Sequence, residues 1–85
     1  MQEREIEPAY APPTKRSVQI AGHATSISLE PMFWSALEAA ARERGSPVNA
    51  LVAEIDAERL NAPRPPNLTS AIRQWLFARP TESPG

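Results

Sequence analysis

Apolar residues change their spacing once along this chain, and the change divides it. Between Ser17 and Leu29 they alternate with polar or small neighbours: Val18 and Ile20 first, then Thr25, Ile27 and Leu29 against Ala24, Ser26 and Ser28. Such alternation predicts β-strand with one buried face. Val18 and Ile20 stand at even positions and Ile27 and Leu29 at odd ones, so the two runs cannot share a face on one unbroken strand. The interruption Ala21-Gly22-His23 must hold a turn or a bulge at Gly22.

From Pro31 the spacing becomes helical. Glu30-Pro31 opens a helix in which Phe33, Leu37, Ala40, Ala41 and Arg44 recur at helical spacing, and Gly45 supplies a left-handed cap, which predicts a helix over 31–44. Ser46-Pro47 repeats the start signal, and Val48, Leu51, Val52, Ile55 and Arg59 form the stripe of a second helix ending near Leu60. Ala62-Pro63-Arg64-Pro65-Pro66 reads as a stiff, extended linker. Asn67 or Thr69 caps a third helix with Leu68, Ile72, Trp75, Leu76 and Arg79 on one side, and Pro80 stops it. Residues 1–14, with Glu3, Glu5, Glu7, Pro8, Pro12 and Pro13, read as a disordered arm, and residues 80–85 as a disordered tail.

Size adds a constraint. With 85 residues and ten prolines, only about 65 residues can pack, and a unit of that size buries about 60% of its unfolded surface and usually needs a staple or a partner. The absence of cysteine removes disulfides and thiolate metal sites, and one histidine cannot build a zinc site, so neither metal nor cofactor is expected and oligomerisation is the staple left. An isolated two-stranded ribbon is marginal in water. Thr25–Leu29 is therefore expected to pair with the same strand of a second chain across a two-fold axis, with Ile27 and Leu29 over the helices and Ala24, Ser26 and Ser28 outward.

Net charge is −1, but residues 14–79 hold eight of the nine basic and six of the ten acidic residues, +2 per chain and a mild attraction for anions. No stretch of 18 apolar residues exists and the first five residues are charged with mixed sign, which fits neither a transmembrane helix nor a signal peptide and points to the cytoplasm. Glu54, Asp56 and Glu58 read as a solvated helix face; with no paired nucleophile and no cleft-forming length, no enzymatic activity is expected. Phe33 belongs to the first helix's apolar stripe, while Trp34, about 100° round the helix, suits a dimer seam or the third helix. In the third helix Trp75 continues the apolar side and Phe77 points elsewhere, which makes the pair a candidate for binding a protein partner.

Thr25-Ser26-Ile27-Ser28-Leu29, Glu30-Pro31, a helix with Phe33-Trp34 and Leu37, the break Arg44-Gly45-Ser46-Pro47 and a helix opening with Asn49-Ala50-Leu51-Val52 together resemble the ribbon-helix-helix fold of Arc and methionine-repressor type proteins. Lys15-Arg16-Ser17-Val18, Ile20-Ala21-Gly22-His23 and Asn67-Leu68-Thr69-Ser70-Ala71-Ile72-Arg73 look more closely like a bacterial subfamily of short ribbon-helix-helix domain proteins.

The resemblance implies a mostly α protein with a short β ribbon: an intertwined homodimer with an additional C-terminal helix. The ribbon-helix-helix domain would span 15–61, the Pro-rich linker 62–66 and the third helix 67–79. It also implies double-stranded DNA as partner, with the ribbon in the major groove and the second helix's N-terminus on a phosphate. Carried over by position, Ala24, Ser26 and Ser28 would face base edges, Ser46, Val48 and Asn49 a phosphate, and Lys15, Arg16 and His23 would supplement them. Thr25, Ile27, Leu29, Phe33, Trp34, Leu51 and Ile55 would form the dimer interface. Members that read DNA often carry Arg, Lys, Gln or Asn on the outward strand positions, and Ala24, Ser26 and Ser28 are shorter. Two readings stand: a DNA-binding transcription regulator, or a dimeric protein-interaction module, antitoxin-like or an accessory subunit, with little or no DNA binding.

Overall fold

The computed structural model describes residues 10–79. Two strands, β1 (Thr14–Ile20) and β2 (His23–Leu29), precede three helices, α1 (Pro31–Glu43), α2 (Val48–Leu60) and α3 (Leu68–Ala78). The fold is mostly helical with a short ribbon, and all three helices lie where their punctuation placed them. β1 takes in Thr14, the last residue of the expected arm. The rest of that arm through Ala9, the stop at Pro80 and the tail lie outside the described residues.

β1 and β2 form an antiparallel hairpin in which Thr14 pairs with Leu29, Arg16 with Ile27, Val18 with Thr25 and Ile20 with His23. Every pair couples an even position with an odd one, so Val18 and Ile20 share a face with Ile27 and Leu29. The parity change of the sequence is what a two-residue turn produces. Ala21 (φ 51°) and Gly22 (φ 83°) both take positive φ, as a type I′ turn demands. The chain's own Thr14–Val18 occupies one edge of Thr25–Leu29, and the other edge, where pairing with a second chain was expected, is unpaired among the described residues. A two-residue turn closes the ribbon at little loop entropy, and three helices stand behind it to bury its apolar face.

Each helix boundary has a local cause. Pro31 opens α1, where its missing N–H would have no partner. At the other end Ser46 N–H donates to Ala41 O (3.0 Å) and Gly45 N–H to Arg42 O (3.1 Å), with Gly45 at φ 68°, a Schellman closure that turns the chain directly into α2. α3 starts at Asn67, whose side-chain oxygen accepts from Ser70 N–H at 2.8 Å. Between α2 and α3, Arg59 donates to Pro66 O (3.0 Å) while paired with Asp56 (2.9 Å), which fastens the proline-rich linker to α2.

One core joins all five elements. α2 packs behind β1, α1 and α3 behind β2, and the fully buried side chains are Leu29, Leu37, Leu51, Val52 and Ile72. α3 is thus part of its own chain's core, with Leu68, Trp75 and Leu76 packed around it. Arg73 ties it to the β2–α1 junction through Glu30 (2.9 Å).

That Arg73 guanidinium, with Glu30's own backbone N–H, holds the Glu30 carboxyl below the usual carboxylate range against a smaller opposing effect of burial. A carboxyl lowered in the folded state stabilises the fold above its unfolded pKa, and that stabilisation is lost as pH falls through the folded value. Glu30→Gln should therefore melt below the wild type at neutral pH, with the difference vanishing in acid. Thermal melts of both proteins from pH 7 to pH 2 test this, and a gap that persists at the acid end would sink it.

Candidate nucleic-acid interface

The hairpin register sorts the ribbon into two faces. Thr14, Arg16, Val18 and Ile20 of β1 lie with His23, Thr25, Ile27 and Leu29 on the helix side. The outward face carries Lys15, Ser17 and Gln19 from β1 opposite Ser28, Ser26 and Ala24 from β2. All are exposed except the half-buried Ser28. Sequence reasoning placed Ala24, Ser26, Ser28 and Lys15 at the interface but missed Ser17 and Gln19. The signal was present, since strict alternation puts both on the face opposite Val18 and Ile20.

The same parity turns Arg16 toward the helices. Its guanidinium lies 4.3 Å from the centre of the Trp34 ring and pairs with Glu38 at 3.1 Å, and Trp34 Nε1–H donates to Thr14 O at 2.8 Å. Arg16 and Trp34 together latch the start of β1 to α1. His23 sits at the ribbon's tip directly after the turn, exposed, opposite Ile20.

Behind the β1 edge, α2 begins without a side-chain cap. Ala50 N–H (3.1 Å) and Leu51 N–H (3.2 Å) donate to Pro47 O, and the N–H groups of Val48 and Asn49 precede these first bonds, at the positive end of the helix dipole. Asn49 is exposed, whereas Ser46 and Val48 are half-buried. Ser17 and Gln19 line a shallow open depression of about 380 Å³ together with Arg16, Trp34, Val48 and Asn49. The ribbon's outward strand and the open helix end therefore share one side of the molecule.

Of the residues expected at a dimer seam, Ile27, Leu29, Trp34, Leu51 and Ile55 are buried within the single chain, while Thr25 and Phe33 are half-buried. Trp75 is half-buried between the guanidinium groups of Arg44 (5.7 Å) and Arg79 (5.8 Å), which pair with Glu54 and Glu43. Phe77 is 92% exposed.

Five arginines are thus engaged with carboxylates: Arg16, Arg44, Arg59, Arg73 and Arg79. Lys15 is the cation of the outward ribbon face and has no carboxylate within 4 Å among the described residues. No group of three or more potential metal ligands occurs among the described residues. No helix among them is long and apolar enough to cross a membrane.

Compared with protein-family models, residues 13–79 match the one described as a ribbon-helix-helix domain. No curated protein matches the chain, and no solved structure does.

Proposed function

Because this chain belongs to the ribbon-helix-helix domain family, we propose that it is a homodimeric DNA-binding protein of the cytoplasm, a transcription regulator that sets its ribbon in the major groove. The observation that carries this reading is the outward ribbon face. Its six residues are small or polar, and they stand on a rigid two-stranded support. A groove about 12 Å wide admits such a ribbon. The α2 N-terminus beside it, with the N–H groups of Val48 and Asn49 and the Ser46 hydroxyl nearby, suits a backbone phosphate. Lys15 adds positive charge, and His23 stands exposed at the ribbon's tip.

A second reading, a dimeric interaction module of antitoxin-like or accessory type, is favoured by two observations: the pairing of most arginines with carboxylates, and Phe77 standing exposed on α3.

Binding to random-sequence duplex DNA over a salt series separates the two. For the regulator, log affinity falls linearly with log salt, and Lys15→Ala reduces the slope by about 0.9 per chain for the phosphate contact removed. Absence of binding even at low salt would leave the interaction module.

A further inference from the structure

Building on the DNA-binding reading, we infer that β1 is a phosphate-holding strand. In the dimer it lies outermost in a four-stranded sheet, along the groove's walls, so that the protein grips duplex backbone and tolerates a wide range of sequences.

The two edges of the hairpin are built differently. β1 carries Lys15, follows Pro12-Pro13 and borders the α2 N-terminus, and lysine and proline are residues that keep a sheet edge from pairing. β2 has neither, and its register against β1 runs without a bulge. Beside the two-residue turn, Ile20 and His23 exchange both hydrogen bonds, and every second pair after them does the same. The N–H and C=O groups of Ala24, Ser26 and Ser28 therefore point to the other edge, which is unpaired among the described residues. A two-fold axis at Ser26 sets that residue against its own equivalent in a second copy and Ala24 against Ser28, small neutral side chains with no charge to oppose.

Neighbouring strands lie about 4.8 Å apart, so in the order β1-β2-β2-β1 the outer strands stand about 14 Å from each other. A major groove about 12 Å wide takes the two inner strands at its mouth and leaves the outer pair over the phosphates. β1 is furnished for that place: Lys15, Ser17 and Gln19 are exposed on the outward face and are donors of the kinds that contact phosphate. The same strand shares its depression with Val48 and Asn49, whose N–H groups lie open at the α2 N-terminus and suit the same chemistry. The inner strands present only Ala24, Ser26 and Ser28, too short to read base edges in a groove about 8.5 Å deep from strands held at its mouth. Charge and shape then carry the contact, and sequence is read weakly.

Three measurements on the full chain test this, each variant first checked for an unchanged thermal melt. Ser26→Cys, once oxidised, should give a disulfide-linked dimer, since the Cα atoms of such a pair lie about 5.5 Å apart. Selection from a random duplex library should return no position with the roughly 5-fold or greater discrimination of a bidentate base contact. On two duplexes of unrelated sequence, Lys15→Ala should flatten and Ser17→Lys should steepen the fall of log affinity with log salt, each by about 0.9 per chain and equally on both duplexes. A dimer that Ser26→Cys does not cross-link, a chain that binds DNA as a monomer, a strongly enriched element, or a Ser17→Lys slope equal to that of the wild type overturns the inference while DNA binding stands. Failure of the wild type to retain any duplex at low salt overturns the DNA-binding reading as well.

Discussion

Removal of residues 67–85 will abolish cooperative folding. α3 supplies Ile72, fully buried, and Ala71, nearly so, and closes the core over α1, α2 and β2 together with Leu68, Trp75 and Leu76. Ile72→Ala alone should cost about 2–5 kcal/mol, the range for truncating a fully buried aliphatic side chain. Small domains hold about 5–15 kcal/mol in total, with this size at the lower end, so losing the whole helix exceeds what the remainder can sustain. The point variant should melt about 8–40 °C below the wild type, at about 4–8 °C per kcal/mol for a domain of this length, and the truncated chain should show no sigmoidal transition by circular dichroism. A truncated chain that melts cooperatively near the full-length temperature would show α3 to be an appendage. Deletion of α3 therefore cannot separate DNA binding from partner binding, whereas Phe77→Ser, at an exposed position, leaves the core intact.

Trp34→Ala should be the most damaging single change near the ribbon. The side chain is 3% exposed, its indole N–H holds the Thr14 carbonyl, and its ring lies beneath Arg16. Truncating an aromatic of this burial costs about 3–5 kcal/mol, and the latch on β1 is lost with it. Trp34→Phe separates the two effects, because it keeps most of the ring's packing and removes the N–H. It should cost about 1 kcal/mol for a hydrogen bond whose acceptor water can reach, and it should speed hydrogen exchange in the first residues of β1 while leaving α2 unchanged. Equal protection of β1 in Trp34→Phe and wild type would show that the indole N–H does not hold the strand. A frayed β1 also displaces Lys15, so the same variant should weaken DNA binding beyond its effect on stability.

The helices were legible because their punctuation is local. Pro31, Gly45, Pro47 and Asn67 act on the turn they sit in, and no distant residue can override them cheaply. Strand pairing is another matter, since the same alternation serves a hairpin within a chain or a ribbon between two chains. The turn residues Ala21-Gly22 do not decide between these, because the usual sequence signs of a type I′ turn are Asn-Gly or Asp-Gly, and alanine at φ 51° is uncommon. Pairing only Thr25–Leu29 across the two-fold axis left the partner of the Ser17–Ile20 run open, which hid Ser17 and Gln19 from the outward face and left Arg16 among the expected DNA contacts. Once the register pairs Val18 with Thr25, both follow without further information. Ile27, Leu29, Leu51 and Ile55 were expected to be buried at a dimer interface, and the single chain already buries them in its own core.

The hairpin's closure within one chain also sets how the protein behaves when it is scarce. A ribbon assembled from two chains exists only above the concentration at which the chains associate, so its folding is second order and its stability rises and falls with copy number. Here the ribbon's two strands pair through a two-residue turn within one chain, so that pairing needs no second chain. A chain on its own thus already holds its two strands paired against the helices, and dilution does not unpair them.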